Sequence, residues 1–297
     1  MLPMHRDRAY AIPASGAIHC RNVSVKQRMM QWLRHARLLE TADNARFRWL
    51  ARESTASREA FRQQFGDAPL PPEDIAYDAY GTLDWRFYWG FGKLAAEFLA
   101  PRIRAHGRGG RVLEWGCGPA RIIRHLPDLL GPAWSVTGAD ANARTIRWCT
   151  EHLPGIEFAR NGETPPLPFD RAEFDCAYAV SVFTHLSADL QRDWARELRR
   201  VLKPCGLLIC TLNGDASRAL LMPSERAAFD RGEPVVRGEV KGGTRCYVAY
   251  HPPAFVRRDL LKGFEIVDHL PAPNAFGDRQ DIWIAKSGIG DPGSGIG

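Results

Sequence analysis

The strongest constraint on the fold is an apolar run that ends in an acid and leads into a glycine-spaced turn, in the sequence RVLEWGCGPAR at residues 111–121. Residues 112–115 predict a buried strand, and Gly116 and Gly118 allow a sharp turn and the close approach of a ligand. Apolar residues then recur at positions 122, 123, 126, 129 and 130, which predicts a helix over 121–130 with its N-terminus beside the ligand. Such an arrangement is typical of a cleft for a nucleoside cofactor.

A second apolar run supports this interpretation. Residues 134–138 lead to Asp140, which lies 24 residues beyond Gly116. In doubly wound sheets, an acidic residue roughly 20 residues after the glycine turn accepts hydrogen bonds from ribose hydroxyls. The alternative role for Asp140 is the N-cap of a helix over 141–152, and one residue is able to serve both roles.

The sequence of the first loop distinguishes between two kinds of site, one for a dinucleotide and one for S-adenosylmethionine. Pyrophosphate favours three spaced glycines and free backbone donors, whereas this loop contains Pro119, which has no N–H, and Arg121 at the third glycine position. Glu114, just before the loop, would repel phosphates but suits a ligand with an ammonium and a sulfonium group. The loop therefore favours S-adenosylmethionine.

With these residues, the chain resembles the class I S-adenosylmethionine-dependent methyltransferases, especially those acting on small molecules. The resemblance covers about residues 76–286 and includes, in order, VLEWGCGPAR, TGADANARTIRWCTEHLPG, EFARNGETPPLPFDRAEFD, AYAVSVFTHL and ELRRVLKPCGLLICTLNG. It implies a Rossmann-like α/β fold: a doubly wound, seven-stranded, mostly parallel sheet of order 3-2-1-4-5-7-6 with the last strand antiparallel. Strands are expected near 111–115, 134–139, 156–159, 174–180, 206–212, 264–270 and 281–285.

The resemblance also assigns cofactor-binding residues. Glu114, Gly116 and Gly118 would surround the methionine part of S-adenosylmethionine, and Asp140 would bind the ribose. Asn161 and Gly162 would lie at the adenine edge, where many relatives carry Asp in place of Asn161; an amide still accepts and donates hydrogen bonds there. The remaining residues predicted at the cofactor are Cys117, Ala141 and Val180. The reaction would leave S-adenosylhomocysteine.

In related methyltransferases, a helix before the first strand caps the cofactor. Residues 77–99 are rich in aromatic side chains, so this segment is the candidate lid. A sulfonium is attracted to aromatic faces, and the side chains able to supply one are Tyr80, Trp85, Tyr88 and Trp89. The alternative is that these aromatics pack against the sheet.

Composition limits the number of domains and the classes of protein to which the chain can belong. The chain has 297 residues and 45% hydrophobic content, which is enough for one catalytic domain and an extension. No apolar run approaches the about 20 residues of a membrane span, and the first ten residues lack the apolar stretch of a secretory signal. The seven cysteines form no CxxC pair, so neither a metal site nor a disulfide framework is predicted. A cytoplasmic protein is expected.

The positive charge is concentrated at the N-terminus. Residues 1–70 contain 12 Lys or Arg and 6 Asp or Glu, whereas residues 71–297 contain 28 of each kind. The alternatives for such an extension are binding to nucleic acid, to an anionic surface or to an acidic carrier. In the remaining alternative, its charges simply keep one face of a helix in contact with water. Apolar residues at helical spacing predict one or two amphipathic helices between residues 25 and 50, broken at Asp43. These helices would pack on the core, cover the cleft or form a dimer contact.

These patterns divide the chain into three parts. Residues 1–72 form a basic helical extension and linker, and residues 73–286 form the methyltransferase domain. Within it, residues 213–263 are a substrate-side insertion with a hairpin turn at 241–244. The glycine-rich tail at 287–297 is expected to be disordered.

The candidate general base is His185, which directly follows the fourth strand. Its ordinary pKa near 6.5 suits proton removal at neutral pH, although a histidine there also caps a helix or packs beside the cofactor. Tyr250 and His251 are weaker alternatives near an expected pocket rim.

Three functions remain open. The first is methyl transfer to a small molecule or glycan, favouring oxygen over nitrogen or carbon, by in-line displacement. The second is nucleic-acid methylation with the basic extension as a binding arm, against which the segment AVSVFTHL lacks a [DN]PP[YF] tetrad. The third is a non-catalytic module that binds S-adenosylmethionine.

Overall fold

The computed structural model describes residues 38–238, 240, 242–244 and 246–288, together with residues 29, 32, 33 and 36. The first part of this range is helical: α1 is Leu39–Phe65, α2 is Glu73–Tyr80 and α3 is Trp85–His106. Most of the extension before residue 38, and the glycine-rich tail beyond residue 288, lie outside the described residues.

The three N-terminal helices pack on one another. Phe61 of α1, which is 0% exposed, lies in an apolar cluster with Tyr77 of α2 and with Trp85 and Tyr88 of α3. The predicted break at Asp43 is wrong, because α1 continues through it and the Asp43 Oδ1 accepts a hydrogen bond from the Tyr77 hydroxyl at 3.1 Å. Of the roles considered for the extension, its described helix therefore packs against the helices that precede the sheet.

The main sheet has seven strands. In chain order they are β1 (Gly110–Trp115), β2 (Trp134–Asp140), β3 (Glu157–Arg160), β4 (Phe174–Ala179), β5 (Leu202–Asn213), β8 (Phe264–Leu270) and β9 (Gln280–Ser287). Their spatial order is β3-β2-β1-β4-β5-β9-β8, with β9 antiparallel to both neighbours. A separate short pair, β6 (Val235–Arg237) and β7 (Val248–Tyr250), intervenes in the sequence. Without this pair the order is 3-2-1-4-5-7-6, which confirms the prediction.

Helices cover both faces of this sheet. The remaining ones are α4 (Leu126–Leu130), α5 (Ala143–His152), α6 (Ala188–Val201), α7 (Pro223–Asp230) and α8 (Pro253–Phe255), which continues as a wider turn over Val256–Leu260. Val112 of β1 packs into the cluster on the α3 and α5 face, and its neighbour Leu113 packs into the cluster on the α6 face. Because successive side chains point to opposite faces, a strand buried on both faces is a continuous apolar run.

Local signals explain where several helices begin. The side chains of Asp84, Asn142 and Ser187 accept backbone N–H groups in the first turns of α3, α5 and α6, as good N-caps do. The helix predicted over 121–130 is shorter than expected, since Ile123–His125 forms a 3-10 turn and regular α-helix begins only at Leu126. Among the described residues, no helix has the length and apolarity that a membrane span requires.

Candidate functional site

The glycine turn follows the carboxyl end of β1, and its glycines have left-handed backbone conformations. Gly116 has φ of 73° and Gly118 has φ of 50°, which disfavours side chains at both positions. A Cβ atom at Gly116 would lie 2.4 Å from Cγ2 of Val182, in the segment after β4. The need for glycine at position 116 therefore comes from the backbone and from Val182, before any ligand is considered.

Glu114 lies at the base of this turn and is 3% exposed. Its Oε2 accepts the Tyr178 hydroxyl at 2.9 Å and the Ile123 N–H at 3.2 Å, so the 3-10 turn that replaces the expected helix start directs an amide at this carboxylate. Burial raises the pKa of Glu114 to about 8, against the pull of these two hydrogen bonds. The carboxyl group therefore binds a proton readily near neutral pH, unless a cation approaches it.

Asp140 joins the ends of β1 and β2. Its Oδ2 accepts the Gly118 N–H at 2.9 Å, and its Oδ1 accepts the Asn142 N–H at 2.8 Å. The alternative prediction for Asp140 is wrong, because α5 begins at Ala143 and its N-cap is Asn142, whose Oδ1 accepts two backbone N–H groups. Burial is the main cause that raises the pKa of Asp140. The carboxylate thus holds the glycine turn in place and lies at the edge where a ribose is expected.

Asn161 follows β3 at the same edge and is buried. Its N–H donates to the Asp140 carbonyl at 3.1 Å, and its Nδ2 donates to the Gly162 carbonyl at 2.7 Å. Its Oδ1 is buried and has no hydrogen-bond partner among the described residues. A buried acceptor without a donor is costly unless a ligand supplies one.

The other predicted cofactor residues lie along the same line of strand ends. Cys117 is buried, and a Cβ atom added at Gly138 would lie 3.0 Å from its Sγ. Burial raises the pKa of the Cys117 thiol well above the ordinary value. Such a thiol is a poor nucleophile. Ala141 and Val180 are half-buried just beyond β2 and β4. The carboxyl ends of parallel strands form the ligand-binding edge of an open α/β sheet.

The aromatic lid differs from the prediction. Residues 77–99 form two helices separated at Gly81, and the guanidinium of Arg121 lies 4.1 Å from the ring centroids of both Tyr80 and Phe91. Trp85 is fully buried in the apolar cluster that includes Phe61 of α1. The ring centroid of Trp89 lies 5.5 Å from that of Phe61. These two tryptophans pack against α1, and Arg121 occupies a face of Tyr80.

Tyr88 also supports the loop instead of presenting an open face. Its hydroxyl donates to the Pro119 carbonyl at 2.7 Å and accepts from Arg124 at 3.0 Å. Burial raises the pKa of Tyr88 to about 12, so the hydroxyl keeps its proton. Pro119, whose lack of an N–H was informative in the sequence, therefore contributes its carbonyl to the lid contact.

His185 lies in a 3-10 turn, Phe183–His185, directly after β4. Its Nδ1 is 2.7 Å from the Tyr247 carbonyl oxygen. A carbonyl only accepts, so Nδ1 carries the proton and the lone pair of the neutral ring lies on Nε2. The Tyr247 carbonyl thus fixes the tautomer that a general base needs, a contact across 62 residues that no local pattern predicted.

A polar network near His185 was also missed. Ser181 has φ of 62°, a strained conformation for a residue with a side chain. Its N–H donates to Thr211 Oγ1 at 2.8 Å, and its hydroxyl donates to Gln280 Oε1 at 2.7 Å. Gln280 in turn donates to Asn213 Oδ1 at 3.3 Å. The signal available in the sequence was the polar pair Thr211 and Asn213 at the end of an apolar strand.

The expected pocket rim at Tyr250 and His251 is wrong, because both side chains are buried. The Tyr250 hydroxyl lies 3.1 Å from Arg237 Nη1, which donates to it. His251 is 1% exposed.

Comparison with known proteins agrees with this geometry. The family model described as a methyltransferase domain matches residues 112–206. The ubiquinone/menaquinone biosynthesis C-methyltransferase UbiE of Pseudomonas savastanoi pv. phaseolicola is 32% identical over 109 residues, which cover 34% of this chain and 41% of that protein. UbiE of Pseudomonas fluorescens is 29% identical over 121 residues, covering 38% and 45%. The chain thus spans less than half the length of these curated relatives.

Solved structures with similar folds include a S-adenosylmethionine-dependent methyltransferase from Methanosarcina mazei, with 21% identity, a TM-score of 0.48 and coverage of 64% of this chain and 98% of that one. The CcbJ methyltransferase from Streptomyces caelestis has 18% identity, a TM-score of 0.47 and coverage of 66% and 94%. Residues 112–206 match the methyltransferase domain model, and the sheet order is the one expected of class I S-adenosylmethionine-dependent methyltransferases. S-adenosylmethionine is the cofactor of this class.

Proposed function

We propose that this protein transfers a methyl group from S-adenosylmethionine to a small-molecule or glycan acceptor, with a hydroxyl oxygen as the receiving atom. The observation that carries the proposal is the clamp of Asp140 on the Gly118 N–H at 2.9 Å. It holds two strand ends and a left-handed glycine turn together at one edge, inside the segment that matches the methyltransferase family.

The proposed cofactor contacts follow from the chemistry of each side chain. Glu114 offers a carboxylate to the ammonium group of the methionine part, and Asp140 offers lone pairs to the ribose hydroxyls. The unpartnered Oδ1 of Asn161 accepts from the adenine amino group, which would satisfy a buried acceptor. The cofactor supplies an electrophilic methyl group on a sulfonium, and the chain supplies position and exclusion of water.

His185 is proposed to remove the proton of the acceptor hydroxyl. Its Nδ1–H is held by the Tyr247 carbonyl, which leaves Nε2 as the basic atom. A base is needed only when the acceptor arrives protonated, and a positioned base contributes about 10²- to 10⁴-fold in rate.

The proposed function is tested first by calorimetry with S-adenosylhomocysteine, and then by its release from S-adenosylmethionine with a panel of phenols, hydroquinones and sugars. We expect saturable binding of one cofactor and turnover with at least one hydroxyl acceptor. Absence of binding would overturn the cofactor site. Binding without turnover of any acceptor would favour the non-catalytic module.

A carbon acceptor is the second candidate, favoured by the similarity to UbiE, whose printed name specifies a C-methyltransferase. A hydroquinone distinguishes the two, because it offers both a hydroxyl oxygen and a ring carbon. Mass spectrometry and NMR of the product identify a methyl ether or a methylated ring, and a methylated ring would replace the oxygen assignment.

A further inference from the structure

Arg121 is a cation beside the glycine turn that has no anionic partner. It is half-buried, and its guanidinium carbon lies 4.1 Å from the ring centroids of both Tyr80 and Phe91. Among the described residues, no carboxylate forms an ion pair with it, and its Nε is buried without a hydrogen-bond partner. By comparison, the half-buried Arg200 and Arg237 each form an ion pair with a glutamate.

The donors at the end of the Arg121 side chain are open to a ligand. Of its three guanidinium nitrogens, only Nε is enclosed by the protein and unpartnered, and the residue as a whole keeps accessible surface. Since no described residue binds Nη1 or Nη2, these terminal nitrogens are the ones that a ligand reaches. Their N–H groups lie along the edge of a planar group, which suits a carboxylate bound through two parallel hydrogen bonds.

The surroundings of Arg121 compensate its charge only in part. Burial is the main cause that lowers the pKa of Arg121, although a guanidinium keeps its proton in proteins. The two aromatic rings stabilise the cation, but they offer no hydrogen-bond acceptor to its edge. A desolvated charge with unused donors is unfavourable unless a ligand of opposite charge pairs with it.

Glu114 places the opposite charge beside the same turn. Glu114 is one of the groups that raise the pKa of Arg121, and Arg121 is one of those that lower the pKa of Glu114. The Tyr80 ring that contacts Arg121 also reaches the turn, because its hydroxyl would lie 3.2 Å from a Cβ atom added at Gly118. An acid and a base therefore lie near each other at the end of β1 without pairing.

We propose that Arg121 binds the carboxylate of the methionine part of S-adenosylmethionine through the edge of its guanidinium, while Glu114 binds the ammonium group. This inference rests on the proposed function and extends it to the selection of the methyl donor. An α-amino acid carries both charges on one carbon atom, so it matches a neighbouring acid and base that do not pair with each other. The site then discriminates against nucleosides that lack the carboxylate.

A carboxylate on the methyl acceptor is the other anion able to pair with Arg121. The neighbours of Arg121 favour the donor, since Glu114, Tyr80 and Gly118 all surround the turn after β1. The proposed base, His185, instead lies after β4 and contacts Tyr247. We therefore assign Arg121 to the donor, and the test below separates the two anions because it uses donor analogues alone.

The probes are S-adenosylhomocysteine and its decarboxylated analogue, which keeps the ammonium group, the thioether and the nucleoside. Calorimetry with the full chain should give an affinity for the analogue that is lower by about tenfold or more, the loss of a hydrogen-bonded charge pair. Arg121→Met keeps an apolar stem between the two rings and removes the donors. It should weaken S-adenosylhomocysteine binding by about tenfold or more, without weakening the analogue, which has no anion to lose.

Arg124 supplies the matched control. Its guanidinium also lies over an aromatic ring of α3, 5.0 Å from the Trp89 centroid, but its Nη1 already donates to the Tyr88 hydroxyl at 3.0 Å. Arg124→Met should change the affinities for the two ligands by the same factor. Arg121→Lys keeps the charge but not the planar fork, so it should lose a smaller part of the preference for the carboxylate.

Two outcomes overturn the inference: a wild type that binds both ligands equally, or an Arg121→Met variant that keeps the wild-type preference for S-adenosylhomocysteine. The first comparison needs no variant, and Arg121→Lys takes the place of Arg121→Met if the latter does not fold. A wild type that binds S-adenosylhomocysteine but fails either comparison keeps its proposed function and loses this assignment. A protein that does not bind S-adenosylhomocysteine fails at the proposed function itself.

Discussion

The side chain of Glu114 illustrates how burial sets chemistry at the scale of one residue. Its pKa is raised from an ordinary 4.5 to about 8 by desolvation. Between about pH 4.5 and 8, the Glu114 carboxyl is protonated in the folded protein but ionised in the unfolded chain. The contribution of Glu114 to the free energy of unfolding therefore falls as the pH rises through this range. A cation at the carboxylate reverses the balance and favours the ionised form.

This leads to a prediction about proton release. At pH 7, binding of S-adenosylhomocysteine should release a proton from Glu114, because the ammonium of the ligand favours the carboxylate. Calorimetry in two buffers with different ionisation enthalpies measures the number of protons released. The variant Glu114→Gln should release none, and a wild type that releases none at pH 7 would contradict the ammonium contact.

The second prediction at this scale concerns His185. His185→Ala should reduce turnover by about tenfold or more, the lower range for a lost general base, while calorimetry gives a nearly unchanged cofactor affinity. His152→Ala is the matched control, since the His152 Nδ1 also contacts a backbone carbonyl, that of Trp148 at 2.9 Å, but on α5. Unchanged turnover in His185→Ala would remove the base assignment.

At the scale of elements, Asp140 couples the turn after β1 to the end of β2. Asp140→Ala would leave the N–H groups of Gly118 and Asn142 without their acceptor and remove the proposed ribose contact. We predict that it lowers the affinity for S-adenosylhomocysteine by about tenfold or more, since charge-assisted hydrogen bonds are each worth about 1.5–3 kcal/mol.

The control for Asp140 lies at the opposite end of the sheet. Asp175 accepts the Arg111 N–H at 2.8 Å, so its side chain makes the same kind of contact away from the proposed cofactor. Asp175→Ala should lower stability without changing the cofactor affinity. If Asp140→Ala bound the cofactor as the wild type does, the ribose assignment would be wrong.

The docking of α1 gives a prediction about stability. Phe61 is fully buried against α3, so Phe61→Ala should reduce the free energy of unfolding by about 3–5 kcal/mol. Trp49 lies on the same helix but is 55% exposed, and Trp49→Ala should change it by at most about 0.5 kcal/mol. Urea denaturation measures both. Equal, small effects would mean that α1 does not contribute to the folded core.

At the scale of the whole molecule, charge separates the extension from the rest of the chain. The first 37 residues contain seven Lys or Arg and one Asp or Glu, and the chain as a whole has a net charge of +6. The remaining residues are therefore balanced. Binding to nucleic acid through phosphates would depend on the extension and would weaken steeply with salt.

We predict that the full chain does not retain RNA or DNA in a gel shift at about 150 mM salt. Any retention at low salt should disappear when residues 1–37 are removed. The S-adenosylhomocysteine affinity of the shortened protein is the control and should be unchanged. Retention that survives both the salt and the deletion would support the nucleic-acid methyltransferase alternative.

By itself, the sequence determined the strands of the sheet and the residues proposed to bind the cofactor. Apolar runs marked the strands, and residue types at their ends marked Glu114, the two glycines and Asp140. These features are local, and parallel strands bring their carboxyl ends to one edge, so the pattern was sufficient to predict their proximity. Asn161, in contrast, was assigned only through the resemblance to the methyltransferase family.

Only the tertiary structure decided the contacts between segments that lie far apart in the chain. The contact of the Tyr247 carbonyl with His185 and the position of Arg121 between Tyr80 and Phe91 both join segments distant in the chain. Local periodicity carries no information about such contacts, because they depend on how β7 lies across the ends of β4 and β5 and on how α2 and α3 pack on the turn after β1. Local pattern was thus enough to predict the strands and the residues proposed to bind the methyl donor, whereas contacts between distant segments exist only in the folded chain.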